Sequence, residues 1–569
     1  MRTRIAVIAL CAVLLGLPAL ADELKGSVQI GGHTVGTMDN VNRAAEYRTA
    51  NSGGDLILDL NAVLGDFFLA LESNAFDTQD QTHSFDLEVG RLLRSHTTFT
   101  RLPHRLEHDS LANLKGVVGE VKVTGSTDLD PGGVYKIKTD TLTNRTDFQI
   151  PGAGWLLLTA DLREQWREGH KQSLSLSHCS TCHVQSQARE VDEHIQEVGL
   201  GGRVTFGSWS LSGRAATRDF RERGTTPERY YILAEHPAQR KPLFNDRIQY
   251  SNAVLPYDQV PNTEKDSTKV KLANANLAGF SVAVSAYTSD VTNLQTNNSV
   301  DYESLSFLLA RKFGKNVRFS LTARQYEIDS TDYFVDTVEP VAVAGTYPGK
   351  TYREQYGLDP DFLRRSAIDR DVTEVQARLG LRLGKGGTLT ATVDGRSIDR
   401  VNYEVAPGDT ETSEQKVRLS WSVRPAKGLN LRLEGTYADI DNPFMALDAA
   451  CLEGPLQTVS KPSPLAPGSV QYYQIHDARV GDLGASPSEY TELKALANLQ
   501  LGASALASFS YRWWDGENND LDLTNWSKSL DALTASITFS PSEKTEAFVG
   551  ATWAKRELET HVCIPLMDG

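Results

Sequence analysis

Long stretches of this chain alternate apolar and polar residues one for one. From Thr373 to Leu383, Val375, Ala377, Leu379, Leu381 and Leu383 fall on one side, and Glu374, Gln376, Arg378 and Arg382 on the other. A period of two marks a strand whose two faces meet different surroundings. Gly384-Lys385-Gly386-Gly387 then supplies a turn. Beyond it Leu389, Ala391 and Val393 oppose Thr388, Thr390, Thr392, Asp394 and Arg396. Val417, Leu419, Trp421 and Val423 repeat the pattern before a Pro425–Gly428 turn, and Leu429, Leu431 and Leu433 alternate with Asn430, Arg432 and Glu434 after it. One face of such strands is charged, so they are not buried on both sides.

These segments run for about 10–12 residues, longer than the usual globular strand and suited to a tilted membrane span. Tight turns at Gly65-Asp66, Pro151–Gly154, Gly201-Gly202, Gly314-Lys315, Gly384–Gly387, Pro425–Gly428 and Pro541–Lys544 alternate with much longer connections. Tyr511, Trp513, Trp514, Trp526 and Trp553 fall near strand ends, where an interfacial girdle would place them. The pattern predicts an all-β fold: a large antiparallel transmembrane β-barrel of roughly 21 strands, with short periplasmic turns and long outer loops. An array of secreted β-sandwiches would give the same alternation, so the period alone does not decide. Barrels of single bacterial chains close with an even number of strands. An odd count and a loop-like tail, Val562 to Gly569, lead to the expectation that the chain lacks its last strand or strands.

Composition sharpens this picture. Residues 1–21 read as a secretory leader, with Arg2 and Arg4 ahead of an apolar Ile5–Leu17 stretch and a small-residue site at Ala19-Leu20-Ala21. The mature chain is expected to start at Asp22 and to form one barrel domain over 22–569. Leu10 before Cys11 is wrong for a lipoprotein site. No later window of about 18 apolar residues exists, so no transmembrane helix is expected. The mean hydropathy of −0.34 suits strands that are half polar. A net charge of −15 argues against nucleic-acid binding by a basic groove.

The chain has only five cysteines, and two of them stand in Cys179-Ser180-Thr181-Cys182-His183. C-x-x-C-H is the attachment signature of c-type haem: the thiols form thioethers to the vinyl groups, and the histidine is the proximal iron ligand. One covalent haem c is therefore expected, held by Cys179, Cys182 and His183 in a loop at about 167–189. A C-x-x-C disulfide or redox pair beside an incidental histidine, and half of a zinc site, are the competing readings. Candidates for the distal ligand are His178, His170 and His194; Met38 or Met445 in that place would raise the potential. Cys451 and Cys563 fall by strand parity in loops on one side, which leaves a loop-stapling disulfide open. The segment Arg101–Asp109 interrupts the alternation; an ordinary connection broken at Pro103 is the preferred reading, with a plug or a second source of ligands as alternatives. No Ser/His/Asp spacing, paired acid or metal cluster stands out, so no catalytic residue and no enzyme activity is expected.

With its leader, its many strands, its long outer loops and a Cys-x-x-Cys in a cysteine-poor porin, the chain resembles the outer-membrane porins of porin–cytochrome electron conduits, the MtrB/PioB-like family. The resemblance covers most of the chain. It implies a barrel that sheathes a multihaem c-type cytochrome, with periplasmic or surface cytochromes as partners and outer-membrane lipid around it. Two features depart from the family. The first mature cysteine is Cys179 rather than one near the mature N-terminus, and His183 follows the pair, which points to a haem of the barrel's own. The competing class is a large general or solute-specific porin in which the Cys pair is a structural disulfide.

Overall fold

A computed structural model describes residues 22–36, 46–47, 51–118, 121–176, 184–231, 253–331, 335–336, 363–364, 368–400, 411–443, 451–452, 479–480, 486–520, 525–542 and 545–560. Twenty-two of its strands belong to one sheet. The chain forms two compact units, residues 1–270 with 289–299, and residues 271–288 with 300–569.

In the first unit, β1 (Glu23–His33), β2 (Gly53–Leu64), β3 (Phe67–Phe76), β4 (Asp80–Val89) and β5 (Leu93–Arg105) are followed by a short β6 (Ser126–Asp128). Then come β7 (Lys136–Gln149), β8 (Leu156–Leu176), β9 (Val184–Phe206) and β10 (Trp209–Glu222). Apart from β6, each strand pairs antiparallel with the next, from β1–β2 through β9–β10. β11 (Thr263–Leu277) and β12 (Phe280–Asn293) are divided between the units. The second unit continues with β13 (Ser299–Phe313), β14 (Val317–Ser330), β15 (Arg370–Arg382), β16 (Thr388–Asp399) and β17 (Thr412–Ala426). It is completed by β18 (Leu429–Asp441), β19 (Glu489–Leu501), β20 (Ala505–Glu517), β21 (Trp526–Ser542) and β22 (Thr545–Thr560), again an antiparallel meander. The fold class is thus the expected one: all-β, a large antiparallel sheet of the transmembrane-barrel type, with 21 meander strands besides β6.

Tight turns link β2–β3, β4–β5, β7–β8, β9–β10, β13–β14, β15–β16, β17–β18 and β19–β20. Most connections at the other strand ends are longer; the three residues between β3 and β4 and the five between β12 and β13 are exceptions. The turn expected at Gly201-Gly202 is not there. Both glycines lie inside β9, opposite Thr159 and Leu158 on one side and Arg214 and Gly213 on the other. A Cβ on Gly201 would come within 2.7 Å of the Gly213 carbonyl oxygen, so this glycine serves a close strand approach rather than a reversal. The chain reverses instead at Gly207-Ser208, where Gly207 has φ +59°. Pro103 does not break β5 either. β4 pairs only as far as Arg101, so among the described residues no strand pairs with that edge of β5 at Pro103, and a residue without an N–H is tolerated.

The sheltered side of the second unit is the polar one. Glu492, Thr436 and Thr392 lie in one row of the register, through Arg418, and all three are buried. Glu492 accepts from Lys494 Nζ and Arg512 Nε, each at 2.7 Å. One position along, Leu493, Leu419 and Leu379 share the opposite row with Gly435 and Ala391, and Leu419 is 53% exposed and Leu493 50%. Val393, Val417, Leu433, Phe509, Ile537 and Phe539 are exposed on the same side. A sandwich in water buries its apolar face; here it is turned outward over strand after strand. Trp526, expected in an aromatic girdle, is buried instead, whereas Trp553 is exposed.

Candidate functional site

The C-x-x-C-H segment lies in sequence between β8 and β9, the two longest strands among the described residues. β8 and β9 are paired without interruption up to Leu176↔Val184, which leaves residues 177–183 to join them. Their neighbours stop earlier: β7 ends at the pair Lys136↔His170, and β10 at Glu222↔Glu193. On the exposed side of the hairpin Leu158, Val198 and Leu200 form an apolar stripe. It gives way to Glu164 and to Trp166, whose ring stacks on His194 at 5.5 Å. From Trp166 to Leu176 the strand rises by roughly 34 Å at 3.4 Å per residue.

A projecting two-stranded ribbon is marginal alone, and this one is braced. β6 runs parallel to Val184–Ser186. The Val184 N–H donates to the Gly125 carbonyl at 2.9 Å and the Leu129 N–H to that of Ser186 at 2.8 Å. Arg189, 2% exposed, reaches Glu222 at 3.1 Å and Asp258 at 3.8 Å. Asp258 also accepts from Ser173 at 2.8 Å and pairs with Lys171 at 3.0 Å. Arg229 donates to the Ser175 carbonyl at 2.6 Å and to its hydroxyl at 2.9 Å. Gln172 donates to Ser186 and to the Asp109 carbonyl, and accepts from the Asp109 N–H.

His108, from the segment between β5 and β6, sits in the same brace. Its Nε2 lies 2.6 Å from Asp128 and its Nδ1 3.0 Å from the Gly133 carbonyl, with Tyr135 edge-on at 5.0 Å. Burial works to raise the Asp128 pKa, but hydrogen bonds from the Asp130 N–H, His108 and Ser186 and the His108 charge outweigh it, and the carboxyl lies below its ordinary value. Burial and the charges of Asp130 and Asp128 push the Tyr135 phenol up to about 12.

Cys179, Cys182, His183 and His178 lie outside the described residues, as do Met38, Met445 and Cys563. Cys451 begins a two-residue strand paired with Arg479–Val480. His170 lies in β8, opposite Lys136 and Glu190, and His194 in β9, against Trp166. The brace itself has no sequence signal. Arg229 and Asp258 meet the hairpin from more than fifty positions away along the chain, and only the Arg101–Asp109 segment stood out, through His104 and His108. His104 pairs with Glu46 at 3.0 Å and stacks on Tyr47.

No family model and no curated protein matches this chain. Among solved structures it is similar to the ferric preacinetobactin receptor BauA of Acinetobacter baumannii, at 11% identity and TM-score 0.40, covering 94% of this chain and 77% of that one. It is similar also to the copper transporter OprC, at 10% identity and TM-score 0.47 over 92% and 74% of the two chains. The FrpB iron transporter of Neisseria meningitidis gives 8% identity and TM-score 0.46 over 95% and 83%. Likenesses this distant assign no ligand and no activity.

Proposed function

We propose that this chain is an outer-membrane β-barrel that carries one covalent c-type haem and acts in an electron conduit with a multihaem cytochrome. The observation that carries the redox part is the C-x-x-C-H itself: the seven residues between paired strand ends contain two thiols and two imidazoles, His178 and His183, enough donors for two thioethers and an iron-ligating nitrogen. Cys179 and Cys182 would hold the haem and His183 would be the proximal ligand. Bound there, the haem would supply one-electron transfer. The membrane part is supported by the exposed apolar side and the sheltered ion pairs of the strands.

On this reading the short turns face the periplasm and the haem hairpin stands on the outer side, well beyond the apolar stripe. The role of the chain's own residues is then positional. The brace of Arg189, Glu222, Asp258, Arg229 and β6 fixes the two strand ends that carry the loop. For the distal site, seven residues tethered at both ends by Leu176↔Val184 reach at most about 14 Å from those ends. His170 lies about 20 Å from Leu176 along β8 and His194 about 34 Å from Val184 along β9, so His170 is the nearer strand histidine. His178, within the loop itself, and then His170 are therefore favoured over His194 as distal ligand.

The bilayer core of about 30 Å is too thick for a single haem to cross, so a cytochrome partner is part of the proposal. The test is a haem peroxidase stain of the denatured, purified protein beside Cys182→Ala, with a pyridine haemochrome spectrum of the wild type. Haem that survives denaturation and is lost in the variant is the expected result. Absence of haem in a strain that matures c-type cytochromes would refute the redox role and leave a large porin with a disulfide at Cys179 and Cys182.

A further inference from the structure

Charges on the polar side of the second unit come mostly in balanced groups. Glu374 lies between Arg324 at 3.9 Å and Arg396 at 3.4 Å, Lys416 pairs with Glu414, and Lys494 bridges Glu434 and Glu492. One region breaks this rule. Near the tight turns that follow β13 and β15, Lys312, Lys315, Arg318, Arg378 and Arg382 line a recess of about 660 Å³, and no carboxylate lines it. None of these five cations has an acidic partner within 4.0 Å among the described residues.

The register shows how close the like charges are. Lys312 is directly opposite Arg318 on the neighbouring strand. Arg318 is opposite Gly380 on its other side, so Arg378 and Arg382 are its two diagonal neighbours. Opposed like charges destabilise a strand pair, and diagonal neighbours lie only about 7–8 Å apart. Gly380 carries no side chain into the space between them; a Cβ there would sit 3.8 Å from that of Arg318. The nearby Arg311 is spoken for by the rings of Phe280 and Phe313, at 4.6 and 4.8 Å. In a chain of net charge −15, five clustered cations around an open recess create a local field that an anion relieves.

We propose that this recess is a binding site for a multivalent oxyanion of the phosphate class. Guanidinium groups match phosphate oxygens two at a time, which singles out Arg318, Arg378 and Arg382 as the recognising residues, with Lys312 and Lys315 as point charges. The recess has the size of a small-molecule site, larger than one monovalent ion needs. The inference is independent of the haem.

The test uses the full chain in a micelle of uncharged detergent, with inorganic pyrophosphate titrated calorimetrically at low ionic strength. Saturable binding that falls by about tenfold or more in Arg318→Gln/Arg378→Gln is expected, while Arg324→Gln, in the balanced group, leaves it unchanged. Arg318→Lys/Arg378→Lys keeps the charge but not the paired donors and should bind with intermediate affinity. If the glutamine double variant fails to fold, judged by its heat-dependent mobility in detergent gels, Lys312→Gln/Lys315→Gln replaces it with the same expectation. No saturable binding by the folded wild type, or equal affinity in the variants, overturns the proposal. Polyglutamate binding that these substitutions weaken, with none for pyrophosphate, also overturns it and would make the recess a dock for an acidic polypeptide.

Discussion

Leu419→Arg separates a membrane strand from a water-facing one. Leu419 is 53% exposed, in the row Leu493–Gly435–Leu419–Ala391–Leu379, with Val417 and Trp421 beside it on the same face. In water an exposed leucine makes few contacts, and its replacement changes stability by no more than about 0.5 kcal/mol. In a bilayer the same side chain is near mid-depth. The outward residues of β22 run from Ala547 to Trp553 before Lys555, which lies opposite Asp531 in the register. In β20 they run from Ala505 to Trp513. Nine residues at about 3.3 Å, tilted by about 40°, cover roughly 23 Å, close to the 25 Å apolar band of outer-membrane barrels. An arginine at the middle of that band costs about 2–4 kcal/mol, falling to about 0–1 near its edges. Gln415→Arg, on the same face but four residues nearer the loop end, is therefore expected to cost at most about 1 kcal/mol. Ser420→Arg, on the polar face, should be close to neutral. Urea unfolding in lipid vesicles, followed by tryptophan fluorescence, measures all three. At about 1.4 kcal/mol per decade, Leu419→Arg should lower the folding constant by roughly 30- to 700-fold. Equal stability of Leu419→Arg and Gln415→Arg in vesicles would refute the membrane reading, whatever the haem stain gave.

Two further outcomes follow from the brace. Arg189→Leu removes one partner of a buried ion pair and leaves Glu222 and Asp258 without it, at a cost of about 3–5 kcal/mol to the local structure; faster protease cleavage between residues 176 and 184, with β13 to β22 unaffected, is the expected result. The Asp128 pKa is lower folded than unfolded, so its contribution is complete above the ordinary value of 3.8 and is lost as pH falls through the depressed folded value. Hydrogen exchange at 126–129 and 184–187, corrected for intrinsic rates, should therefore accelerate below about pH 4 in wild type. In Asp128→Asn it should be fast at every pH; equal protection in the two proteins would sink the argument.

The strands were legible because period-two alternation is a local property. Segments such as Thr388–Asp399 and Leu429–Asp441 begin and end within two residues of where their apolar positions and turns put them. Gly201-Gly202 misled because glycine marks two different needs, a reversal and a close approach. Only the cross-strand partners, Gly213 and Arg214, tell them apart. Pro103 misled in the same way: a missing donor matters only where a neighbouring strand needs it, and β4 has already ended there. Trp526 falls near a strand end as an interfacial tryptophan would, yet it is buried, which alternation alone does not encode.

What alternation could not decide is which side faces outward, since a sandwich and a barrel share the period. That question is one of burial, and the buried row of Glu492, Thr436 and Thr392 beside the exposed Leu419 and Leu493 answers it for the second unit. The C-x-x-C-H motif is the opposite case. Its five residues carry the whole chemical argument in the sequence, while the structure contributes the frame: a hairpin longer than its neighbours, held along its projecting part by Arg189, Arg229 and Asp258. A disulfide needs only two thiols at the right separation and gains little from a braced ribbon that lifts it clear of the sheet. On the function proposed above, an electron-transfer group in this loop would gain from the brace a fixed distance to its partner.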